Sequence, residues 1–230
     1  MTRTTNARVA GVTFLFYIAV GIAGLVVSGR ATSGEGTAAK LASIAQHASD
    51  MRVAALLALF TALAALLLGV TLYAITRDED PDLAMLALIC RVVEGVNNAI
   101  SMPTSLRLLW LATAAGADAP GTEARHALGA YLLYGQGGGS AMFFAVGSTL
   151  FSWLLLRGRM IPVGLAWLGV LASALLVVIL PLQLAGVLGS LNWFGVITWL
   201  TWLPMLVFEV TLALWLIVKG VGMPVKRQLA

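Results

Sequence analysis

Charged residues are scarce: 14 Lys and Arg with 10 Asp and Glu make up 10% of 230 residues, against about a quarter in an ordinary soluble domain. That is too little polar side chain to solvate a globular surface, so a soluble domain is excluded. One cysteine excludes a disulfide scaffold. Disorder requires low hydrophobicity and high charge, whereas 60% of this chain is hydrophobic and its mean hydropathy is +0.95. What the sequence has in quantity is long apolar runs, the signature of a multi-pass helical membrane protein.

A helical crossing needs ~20 mostly apolar residues. Six such stretches are expected, at about 9–27, 53–75, 83–104, 131–156, 163–188 and 193–218. The predicted fold is therefore all-α: a polytopic transmembrane bundle of six helices forming a single membrane domain over 1–230. The first stretch reads as a retained helix, because it exceeds the ~7–15 residues of a signal-peptide core and no A-x-A site follows. Residues 29–51 form the long outer-side loop, in which Leu41, Ile44, Ala45 and Ala48 have the spacing of a short interfacial helix. That loop is either a lid or, more simply, a solvated spacer. The third and fourth apolar stretches, reaching Leu111 and starting near Glu123, exceed one crossing.

Six crossings place Arg3, Arg8, Arg77, Arg157, Arg159, Lys219, Lys226 and Arg227 on one side and Arg30, Lys40, Arg52, Arg107 and Arg125 on the other. Basic residues favour the cytoplasmic face, and short loops weigh most, so both termini are expected in the cytoplasm of a bacterial inner membrane. The sequence pI of 9.6 then calls for anionic membrane lipids as partners and for no nucleic acid.

Arg91 belongs to neither side. It lies eight residues into the third stretch, ~12 Å deep at ~1.5 Å rise per residue, and Glu94 lies one turn deeper. A charge at such depth costs ~2.5–3.5 kcal/mol even on the lenient insertion scale, so it is expected to face the bundle interior with a partner. Arg91, Glu94, Asn98, Ser101 and Ser105 recur at helical spacing and predict one polar face. Glu209 in the sixth stretch lies nine residues before Val218, ~13 Å deep by the same rise. Equal depth predicts an Arg91–Glu209 ion pair across the bundle, with Thr198, Trp202, Met205 and Glu209 turned toward the polar face. One positive and two acidic groups leave an excess negative charge in low dielectric, so one glutamate is expected to hold a proton. The candidate ligand or proton site is Arg91, Glu94, Asn98 and Glu209, with Trp202, Asn97 and Ser101 around it.

Other features read as packing. Gly135-x-x-x-Gly139 allows close helix approach, and Gln136 and Ser140 can reach the interior. Pro103 and Pro204 free the carbonyls of Ala99 and Leu200. Cys90 is a small apolar filler, and His47 and His126 are too far apart in sequence to argue for a metal or haem. No cofactor and no catalytic residue is expected: no Ser/His/Asp order, H-E-x-x-H or paired-aspartate motif occurs. Four of the seven tryptophans, Trp193, Trp199, Trp202 and Trp215, fall in the last stretch and read as interface anchors and packing.

The segments Cys90-Arg91-Val92-Val93-Glu94-Gly95, Arg159-Met160-Ile161-Pro162-Val163-Gly164-Leu165-Ala166-Trp167-Leu168-Gly169 and Phe208-Glu209-Val210-Thr211-Leu212-Ala213-Leu214-Trp215-Leu216-Ile217-Val218-Lys219-Gly220 resemble a bacterial multi-pass membrane family catalogued as a domain of unknown function. The resemblance implies a six-helix inner-membrane protein with Arg91, Glu94 and Glu209 at charged motif positions, and it implies no activity, substrate or cofactor. The expected function is binding or transport of an unknown small or lipid-like molecule at the buried Arg/Glu site. Two alternatives stand beside it: a structural or interaction protein whose charges fix helix packing, and an intramembrane enzyme acting on a lipid or isoprenoid.

Overall fold

In hydrocarbon the backbone satisfies its hydrogen bonds as a helix or a closed barrel, and long apolar runs without the alternation of barrel strands leave the helix. The computed structural model describes residues 2–116, 119–134, 139–186 and 196–223. These form eight helices: α1 (Arg3–Ala31), α2 (Gly36–Gln46), α3 (Ala48–Thr76), α4 (Pro81–Thr113), α5 (Thr122–Tyr134), α6 (Gly139–Arg157), α7 (Val163–Leu184) and α8 (Val196–Val218). Six stretches are long and apolar enough to cross a membrane: α1, α3, α4, the α5–α6 stretch Thr122–Arg157, α7, and Trp199–Val218 in α8. The protein is an all-helical, multi-pass membrane protein.

Most helices overrun the apolar core of their stretch, because helical hydrogen bonding continues into polar flanks such as Arg3–Arg8 and Ala48–Arg52. The region 29–51 is largely helical. Leu41 and Ile44 of α2 are buried, together with Ala31, Met51, Leu108, Leu109 and Leu111, which a solvated spacer would not achieve. Gly135, Gln136, Gly137 and Gly138, residues 189–192, Trp193, Lys226 and Arg227 lie outside the described residues, as does the side chain of Thr198.

The chain divides into two compact units. The first comprises Met1–Phe16, Ala64–Gly95 and Gly138–Ala230; the second comprises Tyr17–Leu63 and Val96–Gly137. In the second unit α2 packs on α5.

In the first unit α6 packs on α7 and α7 on α8, and four of the six buried residues of α7 are small. The buried face of α7 is Ala166, Gly169, Ala172, Ser173, Leu176 and Leu180, while Val163, Trp167, Leu171, Leu175 and Val178 stand exposed. Small side chains inside and large apolar ones outside are what a lipid solvent selects, since helices there gain by close approach and not by escaping water. Glycine marks the closest approaches. A methyl group on Gly11 of α1 would stand 2.6 Å from the Ala213 carbonyl oxygen of α8, and one on Gly169 would run into the Phe208 ring. On α3 a Gly69 methyl would lie 2.9 Å from Arg91 Cβ, and on α6 a Gly147 methyl 3.1 Å from Cys90 Cβ.

One end of this unit is tied by polar contacts. Asp80 caps α4, its Oδ1 accepting from the Leu83 N–H at 3.2 Å, with Pro81 at the first helical position. Arg157, ending α6, pairs with buried Glu79 and with Asp80, both at 3.1 Å. Arg3 reaches Asp78 at 3.4 Å, and the Gly222 N–H donates to the Met160 carbonyl at 2.9 Å. The beginning of α1, the α3–α4 and α6–α7 turns and the segment after α8 therefore meet at the same end, as an even number of crossings requires.

Gly69→Ala and Gly147→Ala are each expected to destabilise the fold by roughly 1–3 kcal/mol through overpacking. Gly21→Ala is the control: no atom among the described residues lies within 4 Å of its added methyl. Thermal unfolding in detergent checks the contrast.

Candidate functional site

Arg91 and Glu94 lie one turn apart on α4. The Arg91 Nη1 donates to Glu94 Oε2 at 2.8 Å, with both side chains about 1% exposed. The i, i+3 spacing makes this contact local, needing no other helix to form. The second guanidinium nitrogen faces two other helices. Nη2 donates to Ser148 Oγ of α6 at 3.2 Å and stands 4.0 Å from Glu209 Oε1 of α8. Arg91 Cζ lies over the ring of Phe144, one turn before Ser148, 4.8 Å from the ring centroid. This is the range in which a ring face attracts a cation, and low dielectric strengthens the attraction. Trp202 of α8 stacks on Phe144 with centroids 5.9 Å apart.

The backbone makes room for this cluster. Gly69 and Gly147 bring α3 and α6 against α4 at Arg91 and its neighbour Cys90, so the guanidinium is enclosed while its stem stays in contact. Beside it is a small cavity with room for a water centre of about 10 Å³, lined by Arg91, Ser148 and Ser152 and by apolar residues including Phe14, Met205 and Phe208. That is about one water.

The two carboxylates are not equivalent. Glu94 is hydrogen-bonded to the guanidinium, whereas Glu209 is at ion-pair distance only. Glu209 is 5% exposed, and its buried Oε1 has no hydrogen-bond partner among the described residues. An unsatisfied buried acceptor of this kind carries a penalty of about 1–3 kcal/mol.

The structure thus brings Arg91, Glu94 and Glu209 together from two helices, with Trp202 one aromatic ring away from the guanidinium. The polar face expected to run from Arg91 to Ser105 is not uniform. Arg91 and Glu94 are buried, but Asn97, Asn98, Ser101 and Ser105 are half-buried and belong to the second unit. The serine hydroxyls are taken up by their own helix: Ser101 Oγ donates to the Asn98 carbonyl at 2.6 Å and Ser105 Oγ to the Ser101 carbonyl at 3.1 Å. Helix hydroxyls commonly bond back to the carbonyl three or four residues earlier, which regular spacing alone does not show. Sequence reasoning passed over Ser148 and Phe144. Ser148 and Ser152 sit at i, i+4 in an otherwise apolar span, and that pairing was the available signal. No group of three or more metal-ligating side chains occurs among the described residues.

Unequal contacts predict unequal costs. Glu94→Ala removes the hydrogen-bonded partner of a buried cation and is expected to destabilise by about 3–5 kcal/mol. Ser148→Ala, losing one hydrogen bond to a charged group, is expected to cost about 1.5–3 kcal/mol, and Glu209→Gln less than either. Thermal unfolding of the three variants reads the order, and a Glu209→Gln loss as large as that of Glu94→Ala would contradict it.

No curated protein and no solved structure matches this chain. A family match does run over residues 9–220, overlapping all six stretches long and apolar enough to cross a membrane and taking in every residue of the Arg91 cluster. The chain belongs to the family described as Domain of unknown function (DUF4386).

Proposed function

We propose that this is a bacterial inner-membrane protein that binds a small or lipid-like molecule, or passes it across the bilayer, at the buried Arg91/Glu94/Glu209 cluster. Arg91 anchors an anionic or polar group, Glu209 carries the exchangeable proton, and Trp202 packs on the apolar part. The observation that carries this reading is the looseness of one contact in an otherwise tight cluster. Arg91 is held by Glu94 at 2.8 Å but meets Glu209 only at 4.0 Å, and the near oxygen of Glu209 lacks a hydrogen bond among the described residues. A ligand donor, a water or a proton arriving there satisfies an acceptor that the protein leaves open, at no loss of an existing hydrogen bond.

The packing-clasp reading also has an observation in its favour: the adjoining cavity holds about one water, so an organic ligand requires the helices to part. The enzyme reading needs a route to Glu94, and Glu94 has no exposed surface.

Native mass spectrometry of the detergent-purified chain separates the first two. Binding predicts a retained small molecule on the wild type and its loss in Arg91→Ala and Glu209→Gln, both still inserted in the membrane. A bare wild-type mass, or equal retention by both variants, sinks the binding reading and leaves the clasp.

The orientation proposed from the basic residues places both termini in the cytoplasm. Fluorescent-protein fusions at either end, which mature only there, are expected to fluoresce; dark fusions would reverse the topology.

A further inference from the structure

The second unit carries a cleft independent of the Arg91 cluster. Where α2 meets α5 the helices are in close contact, a methyl on Gly129 standing 2.8 Å from Leu41 Cδ1. Beside that contact lies a cleft with about 260 Å³ of room. Its apolar wall includes Leu41 and Ala42 of α2 and Ala112 near the end of α4, and its polar wall is the first turn of α5, with Thr122, Arg125 and His126. The N-terminal turn of a helix favours anions through its free N–H groups and dipole, and two basic side chains reinforce it here.

Arg125 is held in place with no acidic partner among the described residues. Its Nη2 donates to the Ala114 carbonyl at 2.7 Å, just beyond α4, and its buried Nε has no hydrogen-bond partner among the described residues. The acid of the same turn, Glu123, is exposed and does not line the cleft. A second cation on this helix pair, Lys40, lies over the Tyr134 ring at 5.1 Å. Farther along α5, Tyr131 and Tyr134 are 75% and 64% exposed. Exposed tyrosines in the opening part of the membrane-spanning stretch Thr122–Arg157 mark the level at which it meets the headgroups, which favours a lipid over a free solute as the occupant.

We propose that this cleft binds the phosphate headgroup of a membrane lipid, with Arg125, His126 and the α5 N-terminus on the phosphate oxygens and Leu41, Ala42 and Ala112 against the glycerol and first acyl carbons. Charge-assisted, forked donors suit a phosphate, and the apolar wall suits the carbon beneath it.

Equilibrium binding of radiolabelled phosphatidylglycerol to the detergent-solubilised full chain tests this, with diacylglycerol of the same acyl chains as the phosphate-free comparison. The wild type is expected to prefer phosphatidylglycerol, and Arg125→Ala to weaken that binding about tenfold. Ala42→Phe fills the cleft from an exposed position while leaving Arg125 in place, and is expected to give the same loss with unchanged thermal unfolding. It decides the matter alone should Arg125→Ala fail to fold. Equal binding of diacylglycerol, or wild-type affinity in Ala42→Phe, overturns the proposal. Displacement of the lipid by millimolar inorganic phosphate overturns the lipid assignment in favour of a free anion.

Discussion

A guanidinium inside a bilayer cannot shed its proton, so the protein around it must supply what water no longer does. The helices around Arg91 are arranged to that end. Glu94 takes one nitrogen, Ser148 accepts from another, Glu209 stands at ion-pair distance and the Phe144 ring lies under the guanidinium carbon. Through these contacts α4, α6 and α8 are registered against one another by a single side chain. Buried ion clusters are poor sources of net stability but good sources of uniqueness, because any other register strands a charge.

Such a cluster needs close backbones, and the rest of the unit provides them. Gly69 and Gly147 admit α3 and α6 to within contact of α4 beside the arginine, while Gly169 seats Phe208, the residue preceding Glu209. Polar demand at one point thus explains small residues at several others. On α7 most of the large side chains stand on the outer face, where they meet hydrocarbon at no cost.

The membrane class and the six crossings were legible because hydropathy reports the solvent directly, and helices in lipid have little choice of form. The Arg91–Glu209 juxtaposition was legible for a related reason: charges at equal depth in hydrocarbon have few alternatives to each other. Where lipid does not dictate, reading failed. Ser101 and Ser105 lie on a helical spacing with Arg91, yet their hydroxyls bond their own backbone, a local competition that spacing does not encode. The burial of α2 depends on its contact with α5, across residues far apart in the chain, and an Ala-rich helix of modest amphipathicity gives no advance sign of that. Phe144 and Ser148 became relevant only once the helix carrying them was placed against α4.

The spacing of Arg91 and its two acids also sets an order in time. Glu94 follows three residues behind Arg91 on the same helix, so the two enter the bilayer together, already able to pair. Glu209 belongs to the sixth span and is made 115 residues after Glu94. The local pair therefore carries the arginine through insertion, and the distant acid closes onto a charge that has long been partnered. A nascent chain stopped before its sixth crossing would still hold Arg91 in the membrane, with the face destined for α8 open to whatever is there to meet it.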